Sequence, residues 1–309
     1  MKHKILIAVL ILNAYFAIGQ MKNQPYYERD KSDALIYFSV EDAMKSEEVV
    51  TILNLRNKEL TEVPAGINQF VELTFLNLMK NQLHSLNTEI FECSQLTELN
   101  IRQNEIEVLP SEIGQLKMLE VLNASKNKFK TLPKEIGGLS EVKIIHLVEN
   151  ELESVPSQMS QLSNLKTLEL ESNKLKSLPE AFAKLDRLVL LNASTNLFTE
   201  MPSAICGMKD LETLNLDRNK ISILAEDVKK LRQLKSISIS DNQLIAVPKK
   251  ISKLKKLELL NLANNQLTVM PNKIGKLKNL KTLILAGNNF SEKERLRIKS
   301  ALPDTDVRF

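Results

Sequence analysis

One unit of 23 residues repeats eleven times along this chain with no insertion or deletion between copies, and this regularity constrains the fold more than any other feature. Each copy follows the pattern L-x-x-L-x-L-x-x-N-x-L. The copies begin at Val50, Leu73, Leu96, Leu119, Val142, Leu165, Leu188, Leu211, Leu234, Leu257 and Leu280. A fixed period of this length is typical of a solenoid, in which each unit buries its apolar side against its neighbours.

The two halves of the unit predict different local structures. Positions 4 and 6, such as Leu76 and Leu78, are two residues apart, so both point to one side of a short strand. The second half reads L-P-x-x-I-x-x-L, as in residues 109–116. Its apolar residues are three apart, which suits a short helical or 3₁₀ turn with the proline in its first turn. Stacked units therefore predict an α/β solenoid with strands on one side and short helical segments on the other.

Position 9 of the unit is polar in a place where the chain leaves the strand. An asparagine amide donates and accepts at once, so a buried asparagine here can link the turns of adjacent units. We therefore interpret these residues as structural and not as a site. Ten copies have asparagine at this position: Asn81, Asn104, Asn127, Asn150, Asn173, Asn196, Asn219, Asn242, Asn265 and Asn288. The first copy has Lys58, which suits a terminal unit.

The units L-P-x-x-I-x-x-L-x-x-L joined to L-x-L-x-x-N resemble the 23-residue class of leucine-rich repeats. That class includes secreted bacterial proteins, and animal and plant proteins similar to Ras-suppressor and Scribble-like scaffolds. The resemblance covers residues 50–290. It implies a horseshoe with a parallel concave sheet of about eleven strands, short helical segments on the convex side, and a function in binding.

The two ends of the chain differ from the repeats. Residues 1–19 combine a basic start, a mostly apolar run from Ile5 to Ile18 and small residues at Ala17 and Gly19, which predicts a cleaved signal peptide; an uncleaved signal anchor is the alternative. Residues 20–49 are expected to form an N-terminal segment and cap, with a capping box at residues 39–42. After the repeats (50–290), residues 291–309 are expected to form a cap helix and tail, the helix beginning at a second capping box and ending before Pro303. The predicted location is secreted or periplasmic, in a bacterium, with no membrane span once the signal peptide is removed.

Charge is unevenly distributed, although the formal net charge is only +4. Residues 229–281 contain thirteen Lys and Arg and only two acidic residues, Asp241 and Glu258. Most of these cations lie outside the strand positions, so we expect them on the convex side. They indicate either a solubilising face or a patch for an anionic surface such as lipopolysaccharide or an acidic glycan. No interleaved aromatic residues accompany them, so nucleic acid is not a predicted partner.

Residues that could carry chemistry are sparse. Cys93 and Cys206 are five units apart, roughly 24 Å at the spacing of strands, so we predict two buried free thiols. His84 and His146 align with no cluster of metal ligands. Catalytic and phosphate-binding motifs are absent from the sequence. We predict a chain that is not an enzyme and needs no cofactor or metal.

The residues at positions 3, 5, 7 and 8 are expected to point into the concave side. Position 5 is mostly asparagine, expected to be exposed as at Asn192, but His146 and Glu169 break this series. Two patches are predicted, one apolar and exposed with Arg56 and Arg102 at its sides, the other acidic and on an open strand surface. The candidate partner-binding residues are Phe75, Met79, Arg102, Val121, Ile144, His146, Val148, Glu169, Glu171 and Asp217.

Exposed apolar surface bordered by charge is a common design for protein contact. The leading hypothesis is therefore a monomeric recognition protein whose concave side binds another protein. One alternative is an intracellular signalling scaffold or GTPase-regulator-like repeat protein, which the predicted signal peptide argues against. The other is a binder of anionic glycan or lipopolysaccharide through the basic convex side.

Overall fold

A computed structural model describes residues 34–309 as a curved solenoid with an open, unclosed parallel sheet of 13 strands in sequence order. This confirms the predicted leucine-rich-repeat horseshoe. Neighbouring strands pair at the repeat period; Phe75, for example, lies opposite Glu98. The strands are β1 (Ile36–Tyr37), β2 (Ile52–Asn54), β3 (Phe75–Asn77), β4 (Glu98–Asn100), β5 (Val121–Asn123), β6 (Ile144–His146), β7 (Thr167–Glu169), β8 (Leu190–Asn192), β9 (Thr213–Asn215), β10 (Ser236–Ser238), β11 (Leu259–Asn261), β12 (Thr282–Ile284) and β13 (Asp306–Arg308).

Eleven of these strands, β2 to β12, come from the repeats, and one further strand lies at each end. β1 pairs with β2 and β13 pairs with β12, so the sheet extends beyond the repeats on both sides. The predicted signal peptide at residues 1–19, and most of the segment expected before the cap, lie outside the described residues.

The convex side is built from 3₁₀ helices of three to five residues. In six of them the proline of the L-P pair is the N-cap and not part of the first turn; its extended backbone lets its carbonyl accept the first helical N–H, as Pro110 does from Ile113. The 3₁₀ helices are Ile67–Gln69, Thr88–Glu92, Ser111–Gln115, Lys134–Gly138, Ser157–Gln161, Glu180–Lys184, Ser203–Gly207, Glu226–Lys230, Lys249–Lys253 and Ile274–Lys276.

The core lies between the sheet and the 3₁₀ helices. The repeat's leucine and isoleucine positions are almost all fully buried. Phe129 and Phe198 occupy position 11, and Phe182 occupies position 18, where most repeats have the smaller leucine or isoleucine. Because each unit contributes one thin slice, the core is continuous along the solenoid and no unit could bury its own apolar side alone.

The ten asparagines at position 9, which we call the asparagine ladder, link adjacent repeats as predicted. Asn173 shows the geometry: its Nδ2 donates to the carbonyls of Leu147 (2.9 Å) and Leu170 (3.0 Å), and its Oδ1 accepts from the N–H of Leu152 (3.0 Å). Leu147 and Leu152 belong to the preceding repeat. Nine of the ten asparagines are buried, and Asn288 at the end is half-buried.

Position 8, just before the ladder, has a left-handed backbone in every repeat. The values of φ lie between 53° and 59° for the non-glycine residues and reach 71° at Gly287. The N–H at this position still donates to the next repeat, as Lys80 does to the carbonyl of Arg102, so the chain turns while the hydrogen-bond ladder continues. The non-glycine residues at this position are Asn57, Lys80, Gln103, Lys126, Glu149, Ser172, Thr195, Arg218, Asp241 and Asn264.

A short α-helix lies at each end of the repeats, and each begins after a serine N-cap. Helix α1 (Val40–Met44) follows Ser39, and helix α2 (Glu292–Ala301) follows Ser291. The second cap departs from a simple capping box because the Glu294 carboxylate accepts from the backbone N–H of Met270 (2.8 Å) and pairs with Arg297. Glu294 thus attaches the helix to the last repeats. No helix within residues 34–309 is long and apolar enough to cross a bilayer.

Candidate functional site

The asparagine at position 5 of the repeat has a structural role that was not predicted from the sequence. In seven strands its Oδ1 accepts the backbone N–H of position 7, two residues on, and so closes the turn out of the strand. Asn192 is one example, and it is buried because its amide also donates to Glu171 (2.9 Å). The expectation that Asn192 would be exposed is wrong.

Four repeat strands, β6, β7, β10 and β12, lack this asparagine. In two of them, β6 and β10, the preceding repeat supplies the missing acceptor. The N–H of Val148 donates to the hydroxyl of Ser125 (3.2 Å), and the N–H of Ser240 donates to Asp217 (2.6 Å). The side chain of His146 is therefore not needed to close the turn after β6.

His146 and Glu169 form a pair across β6 and β7. They lie opposite each other in the register, with His146 Nδ1 2.7 Å from Glu169 Oε2. Glu169 is only 2% exposed, and Glu171 is half-buried. The prediction that these carboxylates lie on an open strand surface is wrong for Glu169, because its neighbours on the pleated sheet cover it.

The predicted apolar patch is also more buried than expected. Phe75, Val121 and Val148 are 5%, 9% and 9% exposed, while Met79 and Ile144 are half-buried. These residues lie outside the main core cluster of the described chain. They are covered by neighbours on the concave side, because strands about 4.8 Å apart bring facing side chains into contact and the curvature draws them closer.

Glu98 belongs to this surface and was not among the predicted site residues. It lies between Phe75 and Val121 in the register, and burial raises the pKa of its carboxyl to about 7. Its Oε2 is buried without a hydrogen-bond partner within the described chain. The sequence offered one signal: Glu98 is the only charged residue at position 3 of any repeat.

The paired histidine and glutamate border a shallow cavity of about 80 Å³ on the concave side. Arg102 is at its edge, and the buried Nε of Arg102 has no hydrogen-bond partner within residues 34–309. Lys126 and Glu149 form an ion pair of 3.0 Å at the rim. The cavity is lined by Arg102, Asn123, Ser125, Lys126, His146, Val148, Glu149 and Glu169. Cationic, anionic and apolar groups thus converge at one place.

Not all predicted residues meet there. The structure brings together Arg102, His146, Val148 and Glu169, with Val121 and Ile144 on the adjoining strands β5 and β6. Phe75 and Met79 lie on the N-terminal side, about three strand spacings or 14 Å from β6. Asp217 lies on the other side, after β9; burial raises the pKa of its carboxyl, although Ser238 and Ser240 donate hydrogen bonds to it.

The remaining candidate groups have other roles. Cys93 and Cys206 are buried free thiols, as predicted, and burial raises the pKa of each to about 11, so neither is an activated nucleophile. Among residues 34–309 no cluster of histidine, cysteine or carboxylate residues could hold a metal ion. A larger groove of about 510 Å³ on the convex side is lined mostly by polar residues of the 3₁₀ helices, including Glu112 and Lys134.

Comparison with known proteins gives the family of the repeats. The "Leucine-rich repeat region" family matches residues 134–240, and the "Leucine rich repeat" family matches residues 71–129 and 232–290. No curated protein matches the chain.

Several solved structures are similar. A leucine-rich-repeat protein of Leptospira interrogans is 33% identical, with 84% of both chains covered and a TM-score of 0.47. The plant peptide hormone receptor RGFR1, solved in complex with RGF2, is 30% identical with a TM-score of 0.69; the match covers 78% of this chain and 40% of the receptor. An internalin of Listeria monocytogenes is 22% identical, covers 80% of this chain and 77% of its own, and has a TM-score of 0.63, which shows the shared fold alone.

Proposed function

Because the chain belongs to the leucine-rich-repeat family, whose solenoids generally serve as binding scaffolds, we propose that it is a non-enzymatic recognition protein that binds a protein partner on its concave side. The observation that carries this proposal is the pair of substitutions at position 5. His146 and Glu169 replace an asparagine that closes the turn elsewhere, and they border the concave cavity together with Arg102.

The chemistry of this cavity suits a protein segment. Arg102 offers hydrogen-bond donors to an acidic or carbonyl group, and Glu169 with His146 offers an acceptor and a ring nitrogen. Val148, Val121 and Ile144 supply adjoining apolar contact. The structure of RGFR1 with RGF2 is a precedent for a peptide ligand on this kind of solenoid, in a longer receptor.

We also propose that the chain is exported by a bacterium, on the strength of the signal-peptide pattern in residues 1–19. Export would place the concave side in contact with partners outside the cytosol.

The proposal can be tested by restoring the repeat consensus. Peptides are selected from a displayed random library on the immobilised chain, and their binding is then measured with the variant His146→Asn, Glu169→Asn. Both substitutions introduce the residue that this turn accepts in seven other strands, so we expect the fold to be retained and peptide affinity to fall at least about tenfold, which corresponds to about 1.4 kcal/mol.

Ser238→Asn is the matched control, since it makes the same consensus change three strands beyond β7. It should leave peptide binding unchanged. Equal affinity of the selected peptides for the double variant and the original chain would contradict a site at this cavity, and failure to select any peptide would argue against a concave binding surface altogether.

A further inference from the structure

Three consecutive repeats expose a large aliphatic side chain on the same lateral surface of the solenoid. Ile223, Ile245 and Val269 are 59%, 60% and 52% exposed. Each follows the asparagine ladder and precedes the 3₁₀ helix of its repeat, at position 12 or 13. These positions are mostly polar in the other repeats, where Val108 is the one exposed counterpart among the described residues. Ile223 and Val269 occupy position 13 two repeats apart, and Ile245 occupies position 12 of the repeat between them; we call these three residues the aliphatic row.

The repeats of Ile245 and Val269 also carry an unusual set of lysines, whereas in the repeat of Ile223 the nearby lysines Lys229 and Lys230 pair with Asp227. Residues 245–278 contain eight lysines and a single acidic residue, Glu258, which pairs with Lys281 outside this stretch. All eight lysines are exposed, and none has an ion pair within the described chain, whereas many lysines of other repeats pair with a glutamate or aspartate of the neighbouring repeat. The eight are Lys249, Lys250, Lys253, Lys255, Lys256, Lys273, Lys276 and Lys278.

The aliphatic row and the nearest lysines are close enough to act together. Lys249 follows Ile245 by four residues, and Lys273 follows Val269 by four residues, which limits each separation along the backbone to about 14 Å. All of these side chains are exposed, the row just before the 3₁₀ helices and these lysines at or within the starts of the helices; we call them together the lateral patch.

We propose that the lateral patch docks onto an anionic lipid bilayer surface. Aliphatic side chains can enter the interface between headgroups and acyl chains, while unpaired lysines are attracted to the negative headgroups. A protein partner is less well matched, because lysine is depleted in protein interfaces. Nucleic acid is also less well matched, since the sequence has no aromatic residue between Phe198 and Phe290 on which a base could stack.

This docking leaves the concave side open. The lateral patch belongs to the edge and convex side of the last repeats, whereas the cavity around His146 and Glu169 faces inward near the middle of the sheet. Membrane docking and partner binding are thus separate functions, and each can fail without the other.

Vesicle co-sedimentation tests the proposal with the purified chain. We expect it to bind vesicles of phosphatidylcholine with phosphatidylglycerol, and not vesicles of phosphatidylcholine alone, at about 0.1 M salt; near 1 M salt the binding should be lost because the Debye length falls from about 10 Å to about 3 Å. The variant Lys249→Glu, Lys250→Glu, Lys273→Glu should bind at least about 100-fold more weakly, at roughly fivefold for each lysine removed. Ile223→Ser, Ile245→Ser, Val269→Ser should lower binding at least about tenfold.

The controls change exposed residues of the same types in earlier repeats; Lys134 is equivalent in position to Lys249, and Val108 to Ile223 and Val269. Lys130→Glu, Lys134→Glu, Lys176→Glu makes the same charge change at exposed positions 12 and 16, and Val108→Ser makes the same polar change at position 13. Both controls should bind the anionic vesicles like the original chain, and circular dichroism should show that all variants are folded. The proposal is overturned if the original chain does not bind anionic vesicles. It is also overturned if the lysine control loses as much binding as the lysine variant, or if the aliphatic variant binds as well as the original chain. Capture of a single-stranded oligonucleotide in place of vesicles would assign the patch to nucleic acid and would equally overturn it.

Discussion

Replacing Asn173 with alanine removes one rung of the asparagine ladder in the middle of the solenoid. The side chain donates to three carbonyls, those of Leu147, Leu170 and Glu171, and accepts from one N–H, that of Leu152. The cost of the substitution depends on which of these groups keeps another partner once the amide is gone.

All three carbonyls keep another donor. The carbonyl of Glu171 still accepts from the N–H of Glu149 (2.9 Å). The carbonyl of Leu147 still accepts from Asn150 Nδ2 (3.2 Å), and that of Leu170 still accepts from Asn196 Nδ2 (2.9 Å). The N–H of Leu152 has no such substitute among its hydrogen bonds, and Leu152 is fully buried. One orphaned buried donor costs about 1–3 kcal/mol, so we expect Asn173→Ala to destabilise the protein by that amount and not by three times as much.

Thermal unfolding measures this effect, with a fall of roughly 2–4 °C in Tm for each kcal/mol in a chain of about this size. Asn279→Ala is the control, because Asn279 is exposed and water can replace its hydrogen bond to the carbonyl of Lys255. An equal fall in Tm for the two variants would refute the assignment of the ladder as the link between repeats. Asn192 is not a suitable control, since it is buried and bonded to Glu171 and Ser194.

Two further predictions concern the concave side and the N-terminus. Because the pKa of Glu98 is about 7 in the folded protein and 4.5 ordinarily, the folded state binds one more proton between these values, so stability should fall as pH rises from 4.5 to 7. Glu98→Gln should remove this decline and raise Tm above pH 7 while changing it little below pH 4.5; a Tm difference that is independent of pH would contradict the burial of the charge. Mass spectrometry of the exported chain should find a mature N-terminus at Gln20, and an intact Met1 on cytosolic protein would contradict export.

The repeat period predicted most of the fold because every repeat has the same spacing of apolar residues in its strand and in its 3₁₀ helix. Alternation at positions 4 and 6 predicted the strands, and the L-P-x-x-I spacing predicted the 3₁₀ helices. The recurring asparagine at position 9 predicted the hydrogen bonds that link adjacent repeats. The left-handed backbone at position 8 could not be predicted in this way. This position is occupied by residues such as Lys80, Glu149 and Thr195, which usually have a negative φ. Glycine, which adopts a positive φ readily, occurs there only at Gly287.

The candidate site was predicted less well, and the reason is geometric. The sequence pattern predicts that a side chain on the concave side is exposed. On the curved sheet, however, the residues 23 positions away on the neighbouring strands cover it, as they do at Phe75 and Glu169. The asparagines at position 5 also follow a second regularity that was not predicted, because each closes the turn after its strand by accepting the N–H of position 7. Breaks in that regularity pointed to His146 and Glu169, but their pairing depends on register and becomes visible only in three dimensions.

The asparagine ladder also has a direction. Each amide reaches back to the repeat made before it, bonding a carbonyl 26 residues earlier and an N–H 21 residues earlier. No repeat precedes the first one, and Lys58 occupies its position 9 instead of asparagine. During synthesis every new repeat therefore brings the group that completes its predecessor, and the solenoid can be assembled vectorially from the N-terminus as the chain leaves the ribosome.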